Sequence, residues 1–214
     1  MSAAIMGCGT YGQVYLYYLK TSGVAVSCFL DDSPERFGSM VDDVPVIGSS
    51  LLIEELVTLG IDSFYCPIGA NKIRVAFNER ARRAGLRTPN FVHSTALVDS
   101  KLPLDGGVYV LPGAVVMPCS TIEKDVMIST SVTVAHHTRL EQGVFLSTGA
   151  SIGAGLTLGK NVYVGMKATV VTGKVLNVEQ DAFIGAGALV LENVVRGDVV
   201  AGIPARSLKL EAGQ

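Results

Sequence analysis

Two adjacent histidines, in the run Val134-Ala135-His136-His137-Thr138, are the side chains best suited to moving a proton at neutral pH. With His93 they are the only histidines in the chain. Eighteen residues further on stands Gly153-Ala154-Gly155, whose backbone N–H groups could stabilise a developing negative charge. A general base beneath a backbone donor is the minimal layout for acyl transfer. Side chains of neighbouring strand residues point to opposite faces, so only one of the two histidines is expected to serve a given site. That also argues against zinc, which wants three converging ligands.

A second constellation lies near the N-terminus. The run Gly7-Cys8-Gly9-Thr10-Tyr11-Gly12 follows a short apolar stretch, and Asp31-Asp32 comes about 20 residues later. Glycines let a backbone approach a phosphate, a helix N-terminus supplies free N–H groups, and a carboxylate can accept from a ribose or a base. A nucleotide-type ligand is the expected occupant.

The elements that must position these groups are legible as two patterns. Residues 3–6, a helix from Gln13 and a strand over Val24 to Leu30 predict a Rossmann-like βαβ unit. It continues with a strand over Val44–Ile47, a helix from Ser50 to Leu59, a strand over Ser63–Ile68 ending at Gly69, and a helix over Asn71–Ala84. Most arginines of that last helix are expected on a solvated face. The domain is assigned to residues 1–88, followed by a linker over 89–97 that holds His93.

From Val98 onward every sixth residue is Val, Ile or Leu up to Val170. The register then slips by two and resumes at Val178, Ile184 and Val190. A period of six fits neither a helix nor an alternating strand, but it fits a solenoid of short strands and turns. Three steps make one triangular coil, so residue 136 lies beneath residue 154, about 4.8 Å away. The α/β domain is therefore followed by a parallel β-helix over residues 98–208. Gly153 and its neighbours are expected to keep a channel open for a thin ligand.

Composition excludes several classes. A net charge of −2 argues against a broad nucleic-acid-binding surface. The first charged residue is Lys20, so no basic leader is expected, and no apolar run approaches the ~20 residues of a membrane span. Four scattered cysteines without a C-x-x-C give neither a disulfide framework nor a zinc site. A cytoplasmic protein is expected.

With these motifs in hand, the chain resembles the bacterial hexapeptide-repeat sugar acyltransferases, which include nucleotide-aminosugar N-acetyltransferases and sialic acid O-acetyltransferases. The resemblance runs along essentially the whole chain. It is carried by the glycine turn, Phe29-Leu30-Asp31-Asp32, Ile68-Gly69-Ala70-Asn71, Phe91-Val92-His93, the histidine step, Ser147-Thr148-Gly149-Ala150 and Gly202-Ile203-Pro204-Ala205. It implies a left-handed β-helix, an exception to the usual crossover rule. It also implies a homotrimer with acetyl-CoA in a groove between neighbouring β-helices, and no metal. Substrate-binding positions implied by it are Gly9, Thr10, Tyr11, Asp31, Asp32 and Gly69. Those for acetyl-CoA are Phe145, Ala154, Met166 and Gly185. The family's catalytic histidine falls on His136, with Ala154 as backbone oxyanion donor.

The sequence departs from the family pattern in three places. Tyr11 and Phe145 replace family histidines, and His137 stands where an acidic residue usually follows the catalytic histidine; Glu141 is a candidate orienter in its stead. The expected activity is acetyl-CoA-dependent N-acetylation of a nucleotide-linked 4-amino-4,6-dideoxy sugar for bacterial surface glycans, the nucleotide being UDP, dTDP or GDP. O-acetylation of a sugar such as sialic acid is the alternative. A hydroxyl depends more on a well-oriented base than an amine does, and the missing acid beside His136 favours the amine. A non-catalytic nucleotide-sugar-binding scaffold and a zinc hydratase are the other classes, separated by acetyl-CoA binding and by zinc content.

Overall fold

A computed structural model describes residues 2–173 and 175–208, in two compact units, Met1–Pro89 and Asn90–Gln214. In the first, a five-stranded sheet is built from β1 (Ala3–Met6), β2 (Val26–Leu30), β3 (Met40–Val41), β4 (Val44–Gly48) and β5 (Ser63–Tyr65). Their order is β3-β4-β2-β1-β5, parallel except for the hairpin edge β3. Helix α1 (Thr10–Thr21) follows β1 and α2 (Asn71–Arg83) follows β5. The apolar runs of β1, β2 and β5 are buried, as expected of a parallel sheet covered on both faces. The helix expected over Ser50 to Leu59 is a 3₁₀ segment, Ser50–Glu55, capped by the Ser49 side chain at Leu51 N–H.

Two residues shape the ligand end of this sheet. A Cβ on Gly12 would stand 1.9 Å from the Gly7 carbonyl oxygen, so the third glycine is what lets α1 press against the turn. Arg74, expected on a solvated face, is fully buried instead. Its guanidinium donates to the Ile68 carbonyl at 2.8 Å and to Asn71 Oδ1 at 3.0 Å, bracing the loop after β5.

The second unit is a parallel β-helix of mostly two-residue strands in sheets of eight, six and four strands, the largest ending in an antiparallel pair, Val199–Ala201 with Arg206–Ser207. The aliphatic ladder read from the sequence points inward and is almost wholly buried from Val110 to Val190. Three residues after each inward aliphatic from Val110 to Val164 the chain turns a corner in the left-handed conformation, at Gly113, Cys119, Asp125, Ser131, His137, Gly143, Gly149, Gly155, Asn161 and Lys167. Left-handed corners suit Gly, Asn and Asp and strain other residues, so the series is a cost the repeat imposes.

Partners are 18 residues apart up to Leu146↔Val164 and Ile152↔Val170. After the register slip the spacing becomes 20, as in Leu158↔Val178 and Val170↔Val190. The coil above packs closely on the glycines at 153, 159 and 165. A Cβ there would meet the backbone nitrogens of Thr172, Gln180 and Ala186 at 2.6, 2.6 and 2.5 Å. Gly153, expected to keep a channel open, instead admits the coil above, whereas Gly155 faces open space. The segment expected as a linker already belongs to the solenoid: Phe91–Val92 pairs with Tyr109–Val110, and Leu97–Val98 with Val115–Val116.

Candidate active site

In the first unit, β1 and β5 are neighbours from which the chain departs in opposite directions, the position where open α/β sheets bind ligands. A pocket at this point is lined by Gly9, Thr10, Tyr11 and Gly12 on one side and by Pro67, Ile68 and Gly69 on the other. Helix α1 begins at Gly9 with no side-chain cap and no acidic residue in its first turn, leaving the N-terminus suited to an anion. A Cβ on Gly9 or Gly69 would meet nothing within 4 Å, so these two glycines face open space.

A second cavity of about 480 Å³ shares Met6, Gly7 and Ile68 with the first. Asp31 and Asp32 form its polar rim, and Ile73, Ala76 and Phe77 of α2 its apolar wall. Flat apolar walls with a few polar groups suit a nucleobase. The two carboxylates are not equivalent. Asp31 accepts from the Cys8 N–H at 2.8 Å and the Ser33 N–H at 3.0 Å, tying the glycine turn to the end of β2. Burial alone would lift its carboxyl, but the N–H groups of Cys8 and Ser33 outweigh that and hold it below the usual carboxylate range. Asp32 gives one oxygen to the Ser50 N–H at 2.7 Å and is exposed.

In the β-helix, His136 and His137 occupy a corner after the strand Thr133–Val134. They do not diverge as strand neighbours would. The left-handed φ of 59° at His137 turns the chain, and the Nδ1 atoms of the two rings lie 3.0 Å apart, the rings edge-to-face. Above them, the Gly155 N–H donates to the His136 carbonyl at 3.1 Å, which fixes the stacking of residues 136 and 154. The Gly153 N–H donates upward to the Val170 carbonyl at 2.8 Å. The Ala154 N–H lies outside the backbone ladder and donates to Thr172 Oγ1 at 2.8 Å.

Glu141 is not the orienter of His136 in this structure. It lies at the next corner, where one oxygen accepts from the Lys160 N–H at 3.2 Å and the other is 3.8 Å from Arg139 Nε. The positions implied for acetyl-CoA divide between two edges of the coil. Ala154 shares the edge after the six-stranded sheet with His136. Phe145 lies on a strand of the eight-stranded sheet, stacked on Tyr163 at 5.1 Å, and Met166 and Gly185 follow strands of that same sheet. Met166 is about half exposed. One β-helix therefore does not gather all of them. His93 sits in the first rung, its Nδ1 2.9 Å from Thr95 Oγ1.

Sequence reasoning missed Arg74, the His136–His137 contact and Thr172. Arg74 stands three residues after Asn71, the helical spacing that allows the brace; His137 falls in the six-residue corner series, and Thr172 stands one 18-residue coil above Ala154. Among the described residues, no group of three or more His, Cys, Asp or Glu could hold a metal ion, and no helix is long and apolar enough to cross a membrane.

Residues 2–81 match the family model of the PglD N-terminal domain. PerB from Caulobacter crescentus, solved in complex with CoA and GDP-perosamine, is 28% identical, with 97% of each chain covered and a TM-score of 0.89. The acetyltransferase domain of PglB from Neisseria gonorrhoeae, solved with acetyl coenzyme A, is also 28% identical, covering 97% of this chain and 98% of that one at a TM-score of 0.86. WeeI from Acinetobacter baumannii shares the fold at 18% identity and a TM-score of 0.85. The expected fold, a Rossmann-like domain followed by a left-handed parallel β-helix, is borne out along the chain, as is the resemblance to bacterial hexapeptide-repeat sugar acyltransferases.

Proposed function

We propose that this protein transfers the acetyl group of acetyl-CoA to the amino group of a nucleotide-linked 4-amino-4,6-dideoxy sugar. One observation carries the reading. The His136 carbonyl is locked under Gly155, which leaves the Ala154 N–H as the backbone donor above the histidine held by an exchangeable side-chain hydroxyl. Likeness over the whole chain to proteins solved with CoA, acetyl-CoA and GDP-perosamine supports the choice of both substrates. The nucleotide belongs at the β1/β5 switch point: phosphates at Gly9, Thr10, Tyr11 and Gly69, the base in the cavity rimmed by Asp31 and Asp32.

In the reaction, the sugar amine attacks the thioester carbonyl carbon and His136 Nε2 takes its proton. The oxyanion accepts from the Ala154 N–H as the Thr172 hydroxyl turns away. The C–S bond then breaks, and the leaving CoA sulfur takes the proton back from the imidazolium. General-base help of this kind is worth ~10²–10⁴-fold and one oxyanion donor about 10²–10³-fold.

The division of Phe145, Met166 and Gly185 from His136 and Ala154 between two edges supports a homotrimer. The CoA groove then forms between the edge of one copy and that of the next. The product would serve bacterial surface glycan assembly, such as O-antigen, in the cytoplasm where acetyl-CoA is made. The test is thiol release from acetyl-CoA across UDP-, dTDP- and GDP-linked 4-amino-4,6-dideoxy sugars. Rapid release with one of them is expected. Release only with sialic acid or another hydroxyl acceptor would replace N- by O-acetylation.

A further inference from the structure

The contact between the two histidines has a consequence for their protons. An N···N hydrogen bond needs one N–H and one lone pair, and a neutral imidazole carries a single N–H. With Nδ1 facing Nδ1 at 3.0 Å, the ring that donates has a bare Nε2, and the ring that accepts carries its hydrogen on Nε2. The pair is thereby held in opposite tautomers. The donor ring is the one able to take a proton at Nε2.

Position in the coil assigns the roles. His136 shares its column with Ala154 and Thr172, where the exchangeable N–H lies. His137 shares its column with Cys119 and Gly155, all three at left-handed corners. We infer that His137 is a positioning residue for His136: its Nδ1 accepts the His136 Nδ1–H and keeps His136 in the tautomer whose Nε2 is free. This rests on the reading of His136 as the general base. Once His136 is protonated, its Nδ1–H still donates to His137, so the cation keeps its partner through the reaction. The pair thus supplies what a carboxylate beside the base would supply, while Glu141 is engaged by Lys160 and Arg139.

Three histidines make the test tractable by long-range ¹H–¹⁵N correlation on the full-length protein with ¹⁵N-labelled histidine. At a pH where both rings are neutral, His136 is expected in the Nδ1–H form and His137 in the Nε2–H form. His137→Gly relaxes the left-handed backbone while removing the acceptor. It should return His136 to the Nε2–H form that free histidine prefers, and lower kcat roughly 10- to 100-fold, a part of the ~10²–10⁴-fold worth of a general base. The KM for acetyl-CoA should change less than about twofold, because the ring does not bind it. His137→Asn places Oδ1 on the same bond position as Nδ1 and tolerates the left-handed corner, so it should restore most of kcat. An Nε2–H form of His136 in the wild-type protein, or unchanged kcat in His137→Gly, would overturn the inference. Full turnover in His136→Ala would instead remove the base assignment beneath it, and that is read independently of the NMR.

Discussion

Thr172 Oγ1 accepts the Ala154 N–H at 2.8 Å, so the donor best placed for an oxyanion is occupied by a hydroxyl from the slipped coil above. Thr172 is exposed, and a hydroxyl can rotate where a backbone carbonyl cannot. As a placeholder it should be dispensable. Thr172→Val is expected to keep kcat within about twofold and to lose no more than the ~0.5–1.5 kcal/mol of an ordinary hydrogen bond in thermal unfolding. A fall in kcat of the ~10²–10³-fold typical of an oxyanion donor would mean that the hydroxyl itself, rather than the N–H, meets the substrate.

Two glycines of the turn after β1 should respond oppositely. Gly12→Ala drives a Cβ into the Gly7 carbonyl and is expected to destabilise the first unit by ~1–3 kcal/mol or more, as overpacking does. Gly9→Ala meets no atom within 4 Å and should melt like wild type, yet raise the KM for the nucleotide sugar by crowding its pocket. Melting curves and initial rates on the two variants separate these effects.

The fold was legible because its two periodicities are local. The six-residue ladder from Val98 to Val190 needs no knowledge of distant contacts, and the glycine turn followed about 20 residues later by Asp31 has the spacing of a βαβ unit. The stacking of His136 beneath Ala154 is legible for the same reason, since coil arithmetic predicts it. What failed depended on backbone sign or on non-periodic chain. A left-handed residue looks like any other in sequence, so strand alternation sends His137 to the face opposite His136, whereas its φ of 59° brings the two rings together. Gly153, expected to leave room for a ligand, makes room for Thr172 instead. Glu141 was near in sequence and one corner away in space.

Asp31→Ala should weaken the first unit in a pH-dependent way. The carboxyl is held below its ordinary value, near 3.8, chiefly by the Cys8 and Ser33 N–H groups acting against burial. Its contribution is therefore present above that value and lost as pH falls through the lower folded one. Wild type should exceed Asp31→Ala by about 1–3 kcal/mol near pH 7, converging in strong acid. Denaturant unfolding at both pH values checks this; a gap independent of pH would show that the charge is not what the two N–H groups hold.

The thiols give a second sign. Burial pushes Cys8 up to about 11, helped by neighbouring Asp31, and pushes Cys28 up to about 11. Their folded-state protonation adds stability below pH 9.0 that drains away as pH rises towards 11. At pH 8 iodoacetamide should label exposed Cys119 quickly and leave buried Cys8, Cys28 and Cys66 until the protein unfolds, since the thiolate is the nucleophile. Mass spectrometry of the native protein reads the count; rapid native labelling of Cys8 would contradict its placement behind the glycine turn.

The most direct test is single-turnover transfer from acetyl-CoA to the accepted nucleotide-linked amino sugar by His136→Ala. Acetyl-CoA affinity is measured alongside. A loss of ~10²–10⁴-fold in the chemical step with acetyl-CoA binding unchanged is the predicted result. Transfer at the wild-type rate would show that His136 is not the base.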